Sequence, residues 1–112
     1  MPETKITATY IFNKMQEFVE QKIPVSREAW MEVAFKLDIL RIDEAKLYNT
    51  MRQSVAKMKN EIYDAQEKKN VAAVEMKIEA SDEYRLMRDQ EALIYSIDEM
   101  IRVAKKSADI NF

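Results

Sequence analysis

Basic and tyrosine side chains recur in the middle of the sequence at spacings that an α-helix would place in one strip. Projected at ~100° per residue, the strip collects Arg41, Tyr48, Arg52, Lys59 and Tyr63. No Asp or Glu of the same segment falls inside it. Cations bind phosphates and aromatic rings stack on bases, so the pattern predicts contacts with single-stranded nucleic acid. Two other interpretations stay open: the strip borders a core with cations reaching over it, or it meets an acidic protein.

A second basic face is predicted near the end of the chain. It comprises Tyr84, Arg88, Tyr95, Arg102 and Lys106. Glu91 and Glu99 share this face, and Asp98 lies four residues before Arg102, a spacing typical of ordinary ion pairs on a helix surface. The face is therefore either a secondary nucleic-acid contact or a solvated helix surface.

Several residue types needed for common chemistry are absent from the sequence, which has no Gly, Cys or His. Their absence removes glycine-rich phosphate loops, the usual zinc and copper ligands, and nucleophile–base pairs. We therefore predict no catalytic residues, no metal ligands, no cofactor and no enzymatic activity. The formal net charge of −2 argues against indiscriminate binding to polyanions. With no signal peptide pattern and no apolar run of ~20 residues, we expect a cytoplasmic chain without a membrane contact.

The last residues form a short motif of their own. Asp109, Ile110 and Phe112 match the Asp-Ile-Pro-Phe tip of bacterial single-stranded-DNA-binding proteins, a tip that docks into partner pockets, although Asn111 replaces the proline. Lys105 and Lys106 stand where that family has an acidic run. The motif is interpreted either as a docking tail or as a hydrophobic C-terminal staple.

Residues that typically end or begin helices predict the elements that position these side chains. Pro24 interrupts one helix and Ser26 fits the N-cap of the next. Asn70 fits the left-handed position after a helix, and Ser81 fits another N-cap. The sequence therefore predicts a single all-α domain over residues 1–112. An amphipathic helix over about 4–22 precedes a long antiparallel helical hairpin, about 26–69 with 71–107.

Apolar spacing adds detail to this hairpin. One stripe runs along the first long helix from Trp30 to Ile62, and a stripe on the last helix covers it, as in an antiparallel coiled coil. Glu44 and Gln90 are polar residues inside these two stripes, where they would fix register or meet water. A second apolar face comprises Met31, Phe35, Ile39 and Ile42. We expect the N-terminal helix to cover that face.

Residues 62–106 resemble small helical-hairpin proteins of bacteriophages. The stretch "NVAAVEMKIEASDEYRLMRDQE" follows their short VAxAE-like helix and their EASDEY-type restart, from Val71 to about Glu91. Some of these proteins resemble phage recombination mediators, which load a recombinase onto single-stranded DNA and oligomerise without catalysis. The resemblance implies a phage-type accessory protein.

The expected function is therefore that of a non-enzymatic helical adaptor around single-stranded DNA or a DNA-processing protein. The alternative is a protein-directed role without nucleic acid, as an inhibitor of a host protein or as a virion assembly component. Expected partners are a second copy of the chain and another protein, with single-stranded nucleic acid as a further candidate.

Overall fold

The computed structural model describes residues 7–21 and 25–110, which form four helices: α1 (Ala8–Glu20), α2 (Arg27–Ala65), α3 (Val71–Glu79) and α4 (Asp82–Ile110). The long helices α2 and α4 pack antiparallel, and α1 is a short N-terminal helix. The predicted all-α hairpin with an added N-terminal helix is confirmed. Predicted helical residues 4–6 and 22, together with Pro24, lie outside the described residues.

Side-chain caps begin the first two helices. Thr7 has extended backbone angles and its side chain accepts a hydrogen bond from the Tyr10 amide. The Ser26 hydroxyl accepts from the Ala29 amide at 3.1 Å, which confirms its predicted role as the N-cap of α2. Each cap satisfies one amide that the helix itself leaves without a partner.

The end of α2 differs from the prediction. The helix stops at Ala65, where the Lys69 ammonium donates to the main-chain oxygens of Tyr63 and Asp64, each at 2.9 Å. Asn70 is not left-handed: its φ of −147° and ψ of 104° are extended, and its side chain accepts from the Ala73 amide. Asn70 therefore begins α3, because a side-chain oxygen offered to a new helix needs that extended backbone.

A break separates α3 from α4, as the N-cap predicted at Ser81 indicated. Ala80 and Ser81 lie outside both helices. The Ser81 hydroxyl donates to the Ile78 oxygen at 2.6 Å and accepts from the Tyr84 amide at 3.2 Å. One hydroxyl thus serves the end of one helix and the start of the next. Asp82 and Glu83 then lie in the first turn of α4, where the helix dipole favours acids.

The chain divides into two compact units, which we name the terminal unit (residues 1–43 and 94–112) and the central unit (residues 44–93). In the terminal unit, α1, α2 and α4 each contribute buried side chains. These are Ile11, Met15, Trp30, Val33, Ala34, Leu37, Ile97, Ile101, Ala104 and Ala108. The Phe18 ring meets Trp30 edge-on at 5.1 Å between centroids. Within the described residues, the buried Trp30 indole N–H has no hydrogen-bond acceptor.

The central unit has its own smaller core. Val55 from α2 packs with Val74 and Ile78 from α3. Partly buried side chains surround these three: Met58, Ile62, Tyr84 and Met87. Near the edge of this unit, the buried Gln90 amide donates to the Glu44 main-chain oxygen at 3.0 Å and also to its carboxylate. The two polar residues predicted inside the apolar stripes are therefore partners of each other.

The predicted cover of the second α2 face is wrong. Met31, Phe35, Ile39 and Ile42 are between 38% and 64% exposed. Helix α1 instead lies beside Ala29 and Val33, and its Phe18 meets Trp30. The physical reason is that the buried α2 stripe is the more continuous apolar surface, so α1 joins the same core. The second face stays open to solvent.

Candidate binding surfaces

Arg41 belongs to the terminal unit and is held by an acid from another helix. Its Nε donates to one carboxylate oxygen of Asp98 on α4, and its Nη2 lies 3.4 Å from the other. The hydrogen bond to Asp98, followed by the charge of the same residue, raises the pKa of Arg41 above its ordinary value. The cation is therefore present at every pH below the ordinary arginine range, and this pair is no switch near neutrality.

The other four residues of the predicted strip lie in the central unit. Lys59 forms an ion pair with Glu75 at 2.9 Å, and the Tyr48 hydroxyl donates to Glu91 at 3.4 Å. The Arg52 guanidinium lies 6.0 Å from the Tyr48 ring centre, and the Lys69 ammonium lies 5.1 Å from the Tyr63 ring centre. Both distances are typical of cation–π contacts.

Acids opposite this strip come from other helices, and α2 alone could not reveal them. Asp98 and Glu91 belong to α4, and Glu75 belongs to α3. A projection of one helix shows only the charges of that helix. Nucleic-acid contact by Arg41, Tyr48, Arg52, Lys59 and Tyr63 remains a prediction, but a phosphate would have to compete with existing carboxylate partners at two of the three cations.

The second basic face has a similar character. In the central unit, Tyr84 packs beside the small core and Arg88 pairs with Glu91 at 3.5 Å. In the terminal unit, Tyr95 and Lys106 are exposed, and Arg102 pairs with Glu99 at 2.8 Å. That hydrogen bond raises the pKa of Arg102. Asp98 is thus not the partner of Arg102, because Arg41 from α2 binds it instead.

The predicted docking tail is described only in part. Asp109 is exposed in the last turn of α4, and Ile110 is the final helical residue. The side chain of Ile110 and the whole of Phe112 lie outside the described residues.

Among the described residues of the terminal unit, two apolar surfaces are open to solvent. We call the first the α2 row: Met31, Phe35, Ile39 and Ile42. The second, the α1–α4 groove, has Phe12, Met15 and Val19 from α1 on one side and Met100 and Val103 from α4 on the other. Exposed hydrophobic side chains of this kind suggest a partner interface. Apolar periodicity located the α2 row, but nothing in the sequence showed that α1 would leave it uncovered.

Residues 7–21 and 25–110 contain no group of three or more acidic side chains placed to hold a metal ion. None of the helices in that range is long and apolar enough to span a membrane.

Comparison with known proteins identified no relative of this chain. No protein-family model matches the chain, and no curated protein and no solved structure is significantly similar to it.

Proposed function

We propose that this chain is a non-enzymatic binding protein that recognises another protein through apolar helix surfaces. The observation that carries the proposal is the α2 row. Four large apolar side chains follow one another at spacings of four, four and three residues, and each is at least 38% exposed. Such a row is the usual means by which one helix docks into an apolar groove of a partner.

The distribution of charge supports a protein partner over a polyanion. Each unit contains nine Lys or Arg and ten Asp or Glu. Neither unit therefore offers the net positive charge that phosphate backbones attract. Arg41 and Lys59, two of the three strip cations, already have carboxylate partners.

Residues 62–106 resemble small helical-hairpin phage proteins, some of which resemble recombination mediators, and this resemblance supplies the class of target. A DNA-processing protein bound through the α2 row would make the chain an accessory or adaptor without nucleic-acid contacts of its own. An inhibitor of a host protein and a virion assembly component would use the same row. These three roles differ in the identity of the partner and share the mode of binding.

Site-specific photocrosslinking tests the proposal. A photoreactive amino acid placed at Phe35 or Ile39 in the full chain should crosslink to a different polypeptide in a lysate of the native cells. The same group at the exposed Lys105 of α4 serves as the control and should not. Replacing Phe35 and Ile39 with Asp should abolish capture without changing the helical circular dichroism, since both side chains are exposed. Equal crosslinking from Phe35 and Lys105 would contradict the proposal.

A second candidate function, contact with single-stranded nucleic acid, is favoured by Arg52. Its guanidinium lies beside the Tyr48 ring on an exposed part of α2, a combination that suits a phosphate next to a stacked base. The substitution Arg52→Glu is the sharpest test, because changing Arg41 or Lys59 would also break ion pairs.

The matched control is Lys57→Glu on the same helix outside the strip. If nucleic acid binds here, the full chain should bind oligothymidine more tightly at ~50 mM than at ~200 mM salt, and Arg52→Glu should weaken binding and its salt dependence. Lys57→Glu should leave both nearly unchanged. Equal losses in the two variants would show a general charge effect and exclude a specific contact at Arg52.

A further inference from the structure

The α1–α4 groove lies in the terminal unit between two helices that contribute comparable walls. Its volume is about 370 Å³. Met15 is buried in the groove, whereas Val19 is 73% exposed, and Phe12 and Val103 are also exposed. Methionines at positions 15 and 100 can adjust their rotamers to an incoming side chain. The shape and chemistry suit a line of apolar side chains arriving from another helix.

The charged side chains that line this groove are both acidic. Glu20 comes from the last turn of α1 and Glu99 from α4. The last turn of α1 carries no basic residue, so its carbonyl end adds negative potential beside Glu20. The remaining polar lining residue, Gln16, is neutral. An apolar groove edged by negative charge is complementary to an apolar ridge flanked by cations.

We infer that the α1–α4 groove binds an amphipathic helix of a partner protein whose apolar ridge is flanked by Lys or Arg. This inference rests on the proposed protein-binding function and adds a second docking surface with a defined chemistry. Apolar side chains of the partner fill the space over Met15 and Met100. Its cations meet Glu20 and Glu99.

Arg102 allows a further test of the inference, because its guanidinium already forms an ion pair with one of these acids. Its guanidinium donates to Glu99 at 2.8 Å from three residues along α4. A cation from the partner must share or displace Arg102. Removing the charge in Arg102→Gln should therefore strengthen binding of a basic helix, and Glu20→Gln should weaken it. A purely apolar interaction would respond to neither substitution.

The test uses the full chain and pairs of synthetic amphipathic peptides. Each pair shares one ridge of Leu, Phe or Met and differs in its flanks, which are Lys in one peptide and Glu in its twin. Methyl NMR of the labelled chain reports the site. At least one Lys-flanked peptide should shift the methyl signals of Met15, Met100 and Val103. Its Glu-flanked twin should bind about tenfold more weakly or worse, through loss of partly exposed charge pairs.

The substitution Val19→Lys should abolish binding of the Lys-flanked peptide without touching the buried core. It removes an apolar wall and adds a cation at an exposed position, so the Lys-flanked peptide should no longer bind. Val71→Lys is the matched control, since Val71 is also an exposed valine and lies in the central unit. That variant should bind as the unchanged chain does.

Several results would overturn the inference. One is failure of every Lys-flanked peptide to shift the groove methyls. Equal binding of the Glu-flanked twins is another such result. It would show that the groove recognises apolar surface without regard to charge, as it would for a small apolar molecule. Groove shifts that grow with protein concentration alone would identify a second copy as the occupant. Crosslinks from Phe35 to another protein would leave the proposed function standing in each case, so the two failures can be told apart.

Discussion

At the scale of single residues, the pairing of Gln90 with Glu44 joins the two long helices within the central unit. The Gln90 side chain is 8% exposed and donates to two oxygens of one residue. A polar pair inside an apolar seam adds little net stability, because desolvation offsets the contact. It does penalise every register in which the amide has no acceptor. We therefore infer that this pair fixes the register of α4 against α2.

A double-mutant cycle tests that assignment. Glu44→Leu removes one acceptor of the buried amide and should lower the unfolding free energy by about 1–3 kcal/mol. Gln90→Leu should cost less, since Glu44 is partly exposed and can turn to water. The double leucine variant should regain most of the loss, because both polar groups are then gone. Urea denaturation followed by circular dichroism measures all three, and additive losses would show that the two residues do not interact.

At the scale of elements, side chains rather than glycines end and begin the helices. Among the described residues, none has a positive φ. The Lys69 ammonium ends α2, the side-chain oxygen of Asn70 accepts an amide of the first turn of α3, and the Ser81 hydroxyl serves both α3 and α4. Each device is local, so a single substitution can test it.

Removal of the Ser81 hydroxyl provides that test. Ser81→Ala should lower the unfolding free energy by about 1 kcal/mol, the usual cost of losing an N-cap. Ser54→Ala in the middle of α2 is the control and should be neutral or slightly stabilising, since alanine is the better helix former. Equal urea midpoints for the two variants would mean that packing alone, and not the hydroxyl, sets the break.

The same local character explains how far the sequence predicted the structure. The helix starts at Ser26 and Ser81 were predicted because an N-cap depends on residues within one turn. The sequence predicts the end of α2 at residue 69, whereas the helix ends at Ala65, because Lys69 reaches back across five and six residues. The cover of Phe35 and the acids opposite Lys59 depend on which helices meet, and a single helix projection contains no such information.

At the scale of the whole molecule, charge is balanced and the ion pairs are dispersed. Neither unit has a charge excess larger than one, so long-range attraction of any partner is weak. Exposed ion pairs such as Arg102–Glu99 contribute little stability individually. Association should therefore depend on burial of apolar area, with charges at the edges selecting among partners. Among the described residues of the terminal unit, the α2 row and the α1–α4 groove offer such area.

The side-chain caps around residues 66–70 have a consequence for how this chain could change over evolutionary time. No backbone conformation in this connection is closed to ordinary L-residues. Losing Lys69 and the Asn70 cap would remove the barrier to continuing α2 directly into α3. A chain fused in this way could pair its α4 with α2 of a second chain, as α4 pairs with α2 within one chain here, which is three-dimensional domain exchange. A few substitutions thus separate a self-contained hairpin from an interlocked dimer.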